Sequence, residues 1–193
     1  REDILRIVAE RIENVPFRKL TTNDIARAAN ISKSTMYKHF PEKQEILAEL
    51  PAIGFPDLCE RIARIRDDEN ADLRDKLRLA AVEITRFFRN RRGLDVALER
   101  YASEDMSVRM RLRDTWNRSV KELDSILVGI VEEGRNRGQV TNPKPSRSLV
   151  KFFAGLLYAH DHFQDGLPDD QILDCQDIAD SFIAICMDSR ANG

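Results

Sequence analysis

The chain is poor in the residues that staple or punctuate a fold. Its 193 residues include 3 Cys, 8 Gly, 7 Pro, 3 His and 1 Trp. Cys59, Cys175 and Cys186 are odd in number, widely separated and outside any C-x-x-C, so no disulfide framework is expected. Cys175 and Cys186 lie three helical turns apart, the spacing of small buried residues on one helix face. No apolar run approaches the roughly 20 residues of a spanning helix, which argues against a membrane protein. The first residues lack a basic-then-apolar signal segment, and a cytoplasmic setting is expected. G-x-G-x-x-G, the P-loop, H-E-x-x-H and the nucleophile elbow are all missing. With so few His and Gly, the sequence offers little material for an enzyme site, so no catalysis and no cofactor are expected. The two histidines of His160-Asp161-His162 point in different directions on a helix, so no metal site is expected there.

What is present is globular. Hydrophobic residues make up 42 % and charged residues 33 % of a chain long enough for a core without staples. The net charge of -2 conceals a polarity. Residues 1–48 carry 9 Lys plus Arg against 7 Asp plus Glu, and residues 49–193 carry 22 against 26. Between Val15 and Lys43 the basic residues are Arg18, Lys19, Arg27, Lys33, Lys38 and Lys43, against only Asp24 and Glu42. A polyanion partner would therefore meet the N-terminal part.

Apolar residues recur at helical spacing almost throughout, and no segment alternates as a strand would. The pattern predicts an all-α chain of about nine helices. Three short ones precede residue 48, and a larger helical bundle occupies 49–193. Pro51, Gly54 and Pro56 interrupt the helix that starts near Glu42, Gly93 breaks the stripe from Leu73 to Phe88, and Asn142-Pro143-Lys144-Pro145 is a loop.

The segment from Thr22 to Phe40 carries the most specific spacing. Ile25, Ala26, Ile31, Met36 and Phe40 fit two short helices crossing steeply about a tight turn, where Asn30 tolerates the left-handed conformation. Such packing leaves Lys33, Ser34, Thr35, Tyr37 and Lys38 outward on the second helix, all donors and none acidic. That surface suits the acceptors of a DNA major groove. Each residue taken alone has a plainer role as a cap or a solvated cation; the joint pattern does not.

Residues Thr21 to Lys43 resemble the DNA-binding segment of the TetR transcriptional regulators, matching T-x-x-x-I-A followed by V-S-x-x-T-x-Y-x-H-F-x-x-K at almost every position. Asn30 and Ser34 stand where glycine is frequent in that family. The resemblance implies a helix-turn-helix domain over 1–48 and an effector-binding and dimerisation domain over 49–193. It implies a repressor that binds a pseudo-palindromic double-stranded DNA operator as a homodimer and is released by a small-molecule effector. By the same resemblance, Thr22 caps the first short helix and binds phosphate, and Tyr37, His39 and Lys43 hold the backbone. Lys33, Ser34 and Thr35 reach base edges, with Asn23 an additional reader and Lys38 on the same surface. The homodimer would form through the two C-terminal helices, whose paired apolar positions Phe152-Phe153, Leu156-Leu157 and Phe182-Ile183 give each helix two faces. Phe87, Phe88, Tyr101, Met110, Trp116, Phe153 and Tyr158 are the candidate effector contacts. The competing expectation is a helical interaction or small-molecule-binding protein whose helix-turn-helix unit reads no specific operator.

Overall fold

In a computed structural model, the described residues are 1–163 and 174–187, with side chains for 1–159 and 174–186. All regular structure among them is helical, as the periodicity predicts. The chain runs through α1 (Glu2–Ile12), α2 (Thr22–Ala28), α3 (Lys33–His39), α4 (Lys43–Glu49), α5 (Phe55–Arg66), α6 (Leu73–Asn90), α7 (Arg92–Glu104), α8 (Met106–Asn136), α9 (Ser146–Phe163) and α10 (Cys175–Met187). Short 3-10 turns at Phe17–Lys19 and Leu50–Ala52 join α1 to α2 and α4 to α5. The side chains of His160-Asp161-His162 lie outside the described residues.

The first compact unit comprises Arg1–Pro56 and Asn90–Val120. Its core is built from the inward stripe of α1 (Ile4, Val8, Ile12), with Ile25, Met36, Phe40, Ile46 and Leu50, closed by Leu94, Leu98, Tyr101 and Leu112. Compactness thus groups residues differently from a division at 48/49. Three seven-residue helices are too short to hold themselves in water, and α7 supplies the apolar face that completes their core. Tyr101 takes part doubly: its ring meets Phe17 edge to face at 5.9 Å, and its hydroxyl accepts a hydrogen bond from the Phe17 amide.

The second unit comprises Asp57–Arg89 and the chain from Lys121 onward. Leu58, Ile62, Leu77, Ile84, Leu127, Ile130, Phe153 and Phe182 are buried there. Phe153 and Phe182 stack at 4.7 Å between α9 and α10. Lys76 is buried, yet its ammonium donates to Glu133 at 2.9 Å and to the Arg66 carbonyl at 2.6 Å, so the charge keeps polar company. The proline loop after α8 also caps α10. Thr141 and Asn142 amides donate to the Cys186 carbonyl at 3.0 and 3.1 Å, and Arg135 holds the loop through the Asn142 and Lys144 carbonyls at 2.9 and 2.8 Å.

Cys186 is buried as expected, and so is Cys59; desolvation raises each thiol to about 11. Cys175 departs from that expectation, being only half-buried at the first position of α10. No group of three or more His, Cys, Asp or Glu placed to hold a metal occurs among the described residues. No helix among them is long and apolar enough to cross a membrane.

Candidate nucleic-acid interface

Local sequence signals set the geometry of α2 and α3. Thr21, not Thr22, is the N-cap of α2. Its hydroxyl accepts from the Asp24 amide at 3.1 Å, while its own amide donates back to the Asp24 carboxylate at 3.1 Å, a reciprocal capping box. The Thr21 hydrogen bonds, from hydroxyl and then amide, hold the Asp24 carboxyl below the usual carboxylate range. The cap expected of Thr22 therefore sits one residue earlier, because the T-x-x-D spacing runs from Thr21 to Asp24. That correction leaves the Thr22 hydroxyl at the first turn of α2, 3.4 Å from the Tyr37 hydroxyl. Two hydroxyls beside the open amides of a helix start suit a phosphate oxygen.

The turn between the helices is set by Asn30, at φ 52. The Ile31 amide donates to the Ala26 carbonyl at 3.0 Å and the Asn30 amide to the Arg27 carbonyl at 3.1 Å, the paired bonds of a Schellman ending. Ser32 then caps α3, accepting from the Thr35 amide at 3.0 Å. The Thr35 hydroxyl is itself engaged with Ser32 at 2.9 Å.

Met36 and Phe40 are fully buried and fix which face of α3 turns inward. Lys33, Ser34, Tyr37 and Lys38 are exposed on the other side, as is Asn23 at the start of α2, and Thr35 and His39 are half-buried. The Lys33 ammonium lies 5.8 Å from the Tyr37 ring, one helical turn away. The structure thus brings Thr22, Asn23, Lys33, Ser34, Thr35, Tyr37 and Lys38 onto the α2–α3 surface.

His39 and Lys43 have other engagements. The His39 carbonyl, at the end of α3, accepts from the Arg1 guanidinium, which also pairs with Glu49 and lies 4.2 Å from the Phe40 ring. Lys43 donates its ammonium to the Phe17 carbonyl at 2.5 Å and sits 4.4 Å from the Phe17 ring. Burial pushes its pKa down. The Lys43 ammonium is therefore committed to its own domain, because the Phe17 carbonyl, which also accepts from the Leu20 amide at 3.1 Å, lies within reach of the first residue of α4. The role of Arg1 was not read from the sequence; an arginine at the edge of an amphipathic helix carries no signal of a long-range partner.

The seven effector candidates are divided between the two units. In the first, Tyr101 is a core residue, Met110 is 61 % exposed, and Trp116 packs edge to face on Phe55 at 5.5 Å. In the second, Phe87 and Phe88 are half-buried and meet edge to face at 5.2 Å, Phe153 is core and Tyr158 is 61 % exposed. An open cleft of about 720 Å³ in the first unit has none of them in its wall. Its wall includes the charged residues Glu45 and Glu49 of α4 and Arg111, Asp114 and Arg118 of α8. Arg91 is a further buried residue that sequence reasoning missed, 6 % exposed at the start of α7.

Comparison with known proteins places the fold and the family. Residues 8–50 match the family described as bacterial regulatory proteins, tetR family. The nucleoid occlusion factor SlmA of Vibrio cholerae is 31 % identical over 156 residues, covering 80 % of this chain and 78 % of that protein. SlmA of Vibrio campbellii is 30 % identical over the same shares. Among solved structures, the reduced form of Escherichia coli NemR aligns over 98 % of both chains with a TM-score of 0.72 at 13 % identity, a likeness of fold. The Bacillus subtilis transcriptional regulator FadR, solved with stearoyl-CoA, aligns over 96 % of both chains with a TM-score of 0.66 at 19 % identity. With a capped helix-turn-helix presenting a donor-rich second helix, and with relatives of this similarity along four-fifths of its length, the chain belongs to the TetR family of regulatory proteins.

Proposed function

We propose that the chain is a cytoplasmic transcriptional repressor that reads a pseudo-palindromic DNA operator as a homodimer. The observation that carries this reading is α3: a helix anchored inward by Met36 and Phe40 presents Lys33, Ser34, Tyr37 and Lys38 outward with no acidic residue among them. Lys33, Ser34 and Thr35 would meet base edges; Thr22 and Tyr37 would share a phosphate; Asn23 and Lys38 would flank them. His39 would act through its place at the end of α3, and Lys43 by holding α4 to the Phe17 turn. Residues 1–48 would form the reading domain and 49–193 the dimerisation and effector domain.

The homodimer proposal draws support from α9 and α10. Phe152, Tyr158 and Ile185 are 47 %, 61 % and 41 % exposed on helices whose other faces bury Phe153, Leu157 and Phe182. An exposed apolar face on an already packed helix pair fits a second copy of it. For release by a small molecule, Phe87, Phe88, Met110, Trp116 and Tyr158 remain as candidates, since Tyr101 and Phe153 are held in cores.

Selection of bound duplexes from a random pool tests the reading: a two-fold symmetric consensus is expected, and recovery of no common sequence would sink it. The SlmA relatives favour a second reading, in which the DNA-bound dimer acts as a nucleoid occlusion factor rather than on neighbouring genes. Transcript levels beside occupied sites, compared with and without the gene, separate the two. Changes there support the repressor; unchanged transcripts with altered division over the nucleoid support the second.

A further inference from the structure

The connection from α4 to α5 interrupts the helical run, with Pro51, Gly54 and Pro56 within six residues. Gly54 has φ 75, and the 3-10 turn leaves backbone carbonyls without helical partners. One side chain gathers them. Arg91 donates to the Pro51 carbonyl at 3.1 Å and to the Ile53 carbonyl at 3.2 Å. Its Nε faces both carboxylate oxygens of Asp95 at 3.0 and 3.1 Å. The guanidinium lies 5.4 Å from the ring of Phe55 and 5.4 Å from the ring of Trp116.

This is a fitted site for a planar, five-donor cation rather than a chance surface pair. A buried charge is tolerated where its donors are matched and its faces covered, and here carbonyls, a carboxylate and two aromatic rings do both. Lysine, a point charge on a flexible stem, cannot satisfy the same fork. The partners come from the exit of α4 (Pro51, Ile53), the start of α5 (Phe55), the first turn of α7 (Asp95) and α8 (Trp116).

We propose that Arg91 is a positioning residue for DNA recognition: by pinning residues 51–53 to α7 and α8, it fixes the direction in which α4, with α3 ahead of it, is held in the first unit. Ile46, Leu47 and Leu50 are anchored in the apolar core of the first unit, so the reading surface itself should survive loss of Arg91. What is lost is the fixed direction, which matters only when two reading helices must meet two half-sites at one spacing. The inference rests on the operator reading above.

The test uses the full chain with Arg91→Met, which keeps apolar bulk, and Arg91→Lys, which keeps charge. Each is titrated against a single half-site, against the selected full site, and against full sites with one base pair added to or removed from the spacer. Half-site affinity should stay within about twofold for both, full-site affinity should fall about tenfold or more for Arg91→Met and less for Arg91→Lys, and the spacer dependence should flatten. Trp116 is the sole tryptophan, so its emission in the absence of DNA should shift in both variants. Unchanged full-site affinity and spacer dependence in Arg91→Met would overturn the proposal. So would a parallel loss of half-site and full-site binding, the mark of a general structural defect. Should Arg91→Met not fold, Arg91→Lys decides by the same split. An unaltered chain with no advantage of full site over half-site would overturn the operator reading, and this inference with it.

Discussion

Two adjacent threonines divide cap from contact. Thr21 closes the capping box on Asp24, whereas Thr22 faces Tyr37. Thr21→Ala should lower stability by about 1 kcal/mol, read from the urea midpoint, and affect DNA binding only through folding. Thr22→Ala should leave the midpoint nearly unchanged and weaken binding to all sequences alike. The pH dependence separates them further. Asp24 has its carboxyl held below the ordinary value by Thr21, so its contribution is present above the unfolded carboxylate pKa and is lost as pH falls through the folded one. Thr21→Ala should shrink that acid-side loss, and Thr22→Ala should not. Asn30 gives a second residue-level expectation. At φ 52 an Ala must accept a left-handed backbone without Asn's local hydrogen bonding, so Asn30→Ala should cost about 1 kcal/mol. Asn30→Gly should be neutral or slightly stabilising in the same urea titration.

At the scale of elements, neighbouring phenylalanines on α9 make opposite predictions. Phe153 is fully buried and stacked on Phe182, so Phe153→Ala should cost about 3 to 5 kcal/mol by calorimetry or denaturant. Phe152, 47 % exposed, should cost little in the single chain when replaced by Ala but should raise the dimer dissociation constant, measured by analytical ultracentrifugation. No change in self-association would count against the α9–α10 dimer. The helices themselves were legible because their stripes are long: α8 ends two residues after Gly134, and Gly138, at φ 71, marks the turn beyond it. Boundaries set by glycine or proline alone were less legible. Gly93 lies inside α7 rather than between helices, since Arg91 is the N-cap of that helix and glycine is tolerated in a first turn. Pro56 lies in the first turn of α5, where a missing amide donor costs nothing. The geometry of the α2–α3 surface was legible because its capping, turn and packing signals are local in sequence. The commitments of Lys43 to Phe17 and of Arg91 to Pro51 were not, because they join residues 26 and 40 positions apart through side chains that look like ordinary surface cations in sequence.

For the whole molecule, the balance of charge decides how DNA binding responds to salt. Residues 1–48 are net positive while the remainder is net negative, so contact should be confined to the N-terminal surface and the rest of the chain should add repulsion. Within that surface the cations are unequal. Lys38 is exposed at the end of α3, and Lys38→Ala should weaken all duplexes similarly and reduce the slope of log affinity against log salt by about one per subunit. Lys33 lies at the start of α3 and on the proposed reading meets a base edge, so Lys33→Ala should change which bases are recovered in selection and narrow the gap between specific and non-specific affinity. Lys43 carries equal formal charge, yet its ammonium already serves the Phe17 carbonyl. Lys43→Ala should lower the melting temperature, through a stability loss of about 1 to 2 kcal/mol, and leave the salt slope nearly unaltered. A salt slope that fell equally for Lys38→Ala and Lys43→Ala would show that the Lys43 ammonium leaves Phe17 for a phosphate when DNA binds. Three lysines of one short basic segment thus give three separable readouts, because packing rather than formal charge decides which of them is available to a polyanion.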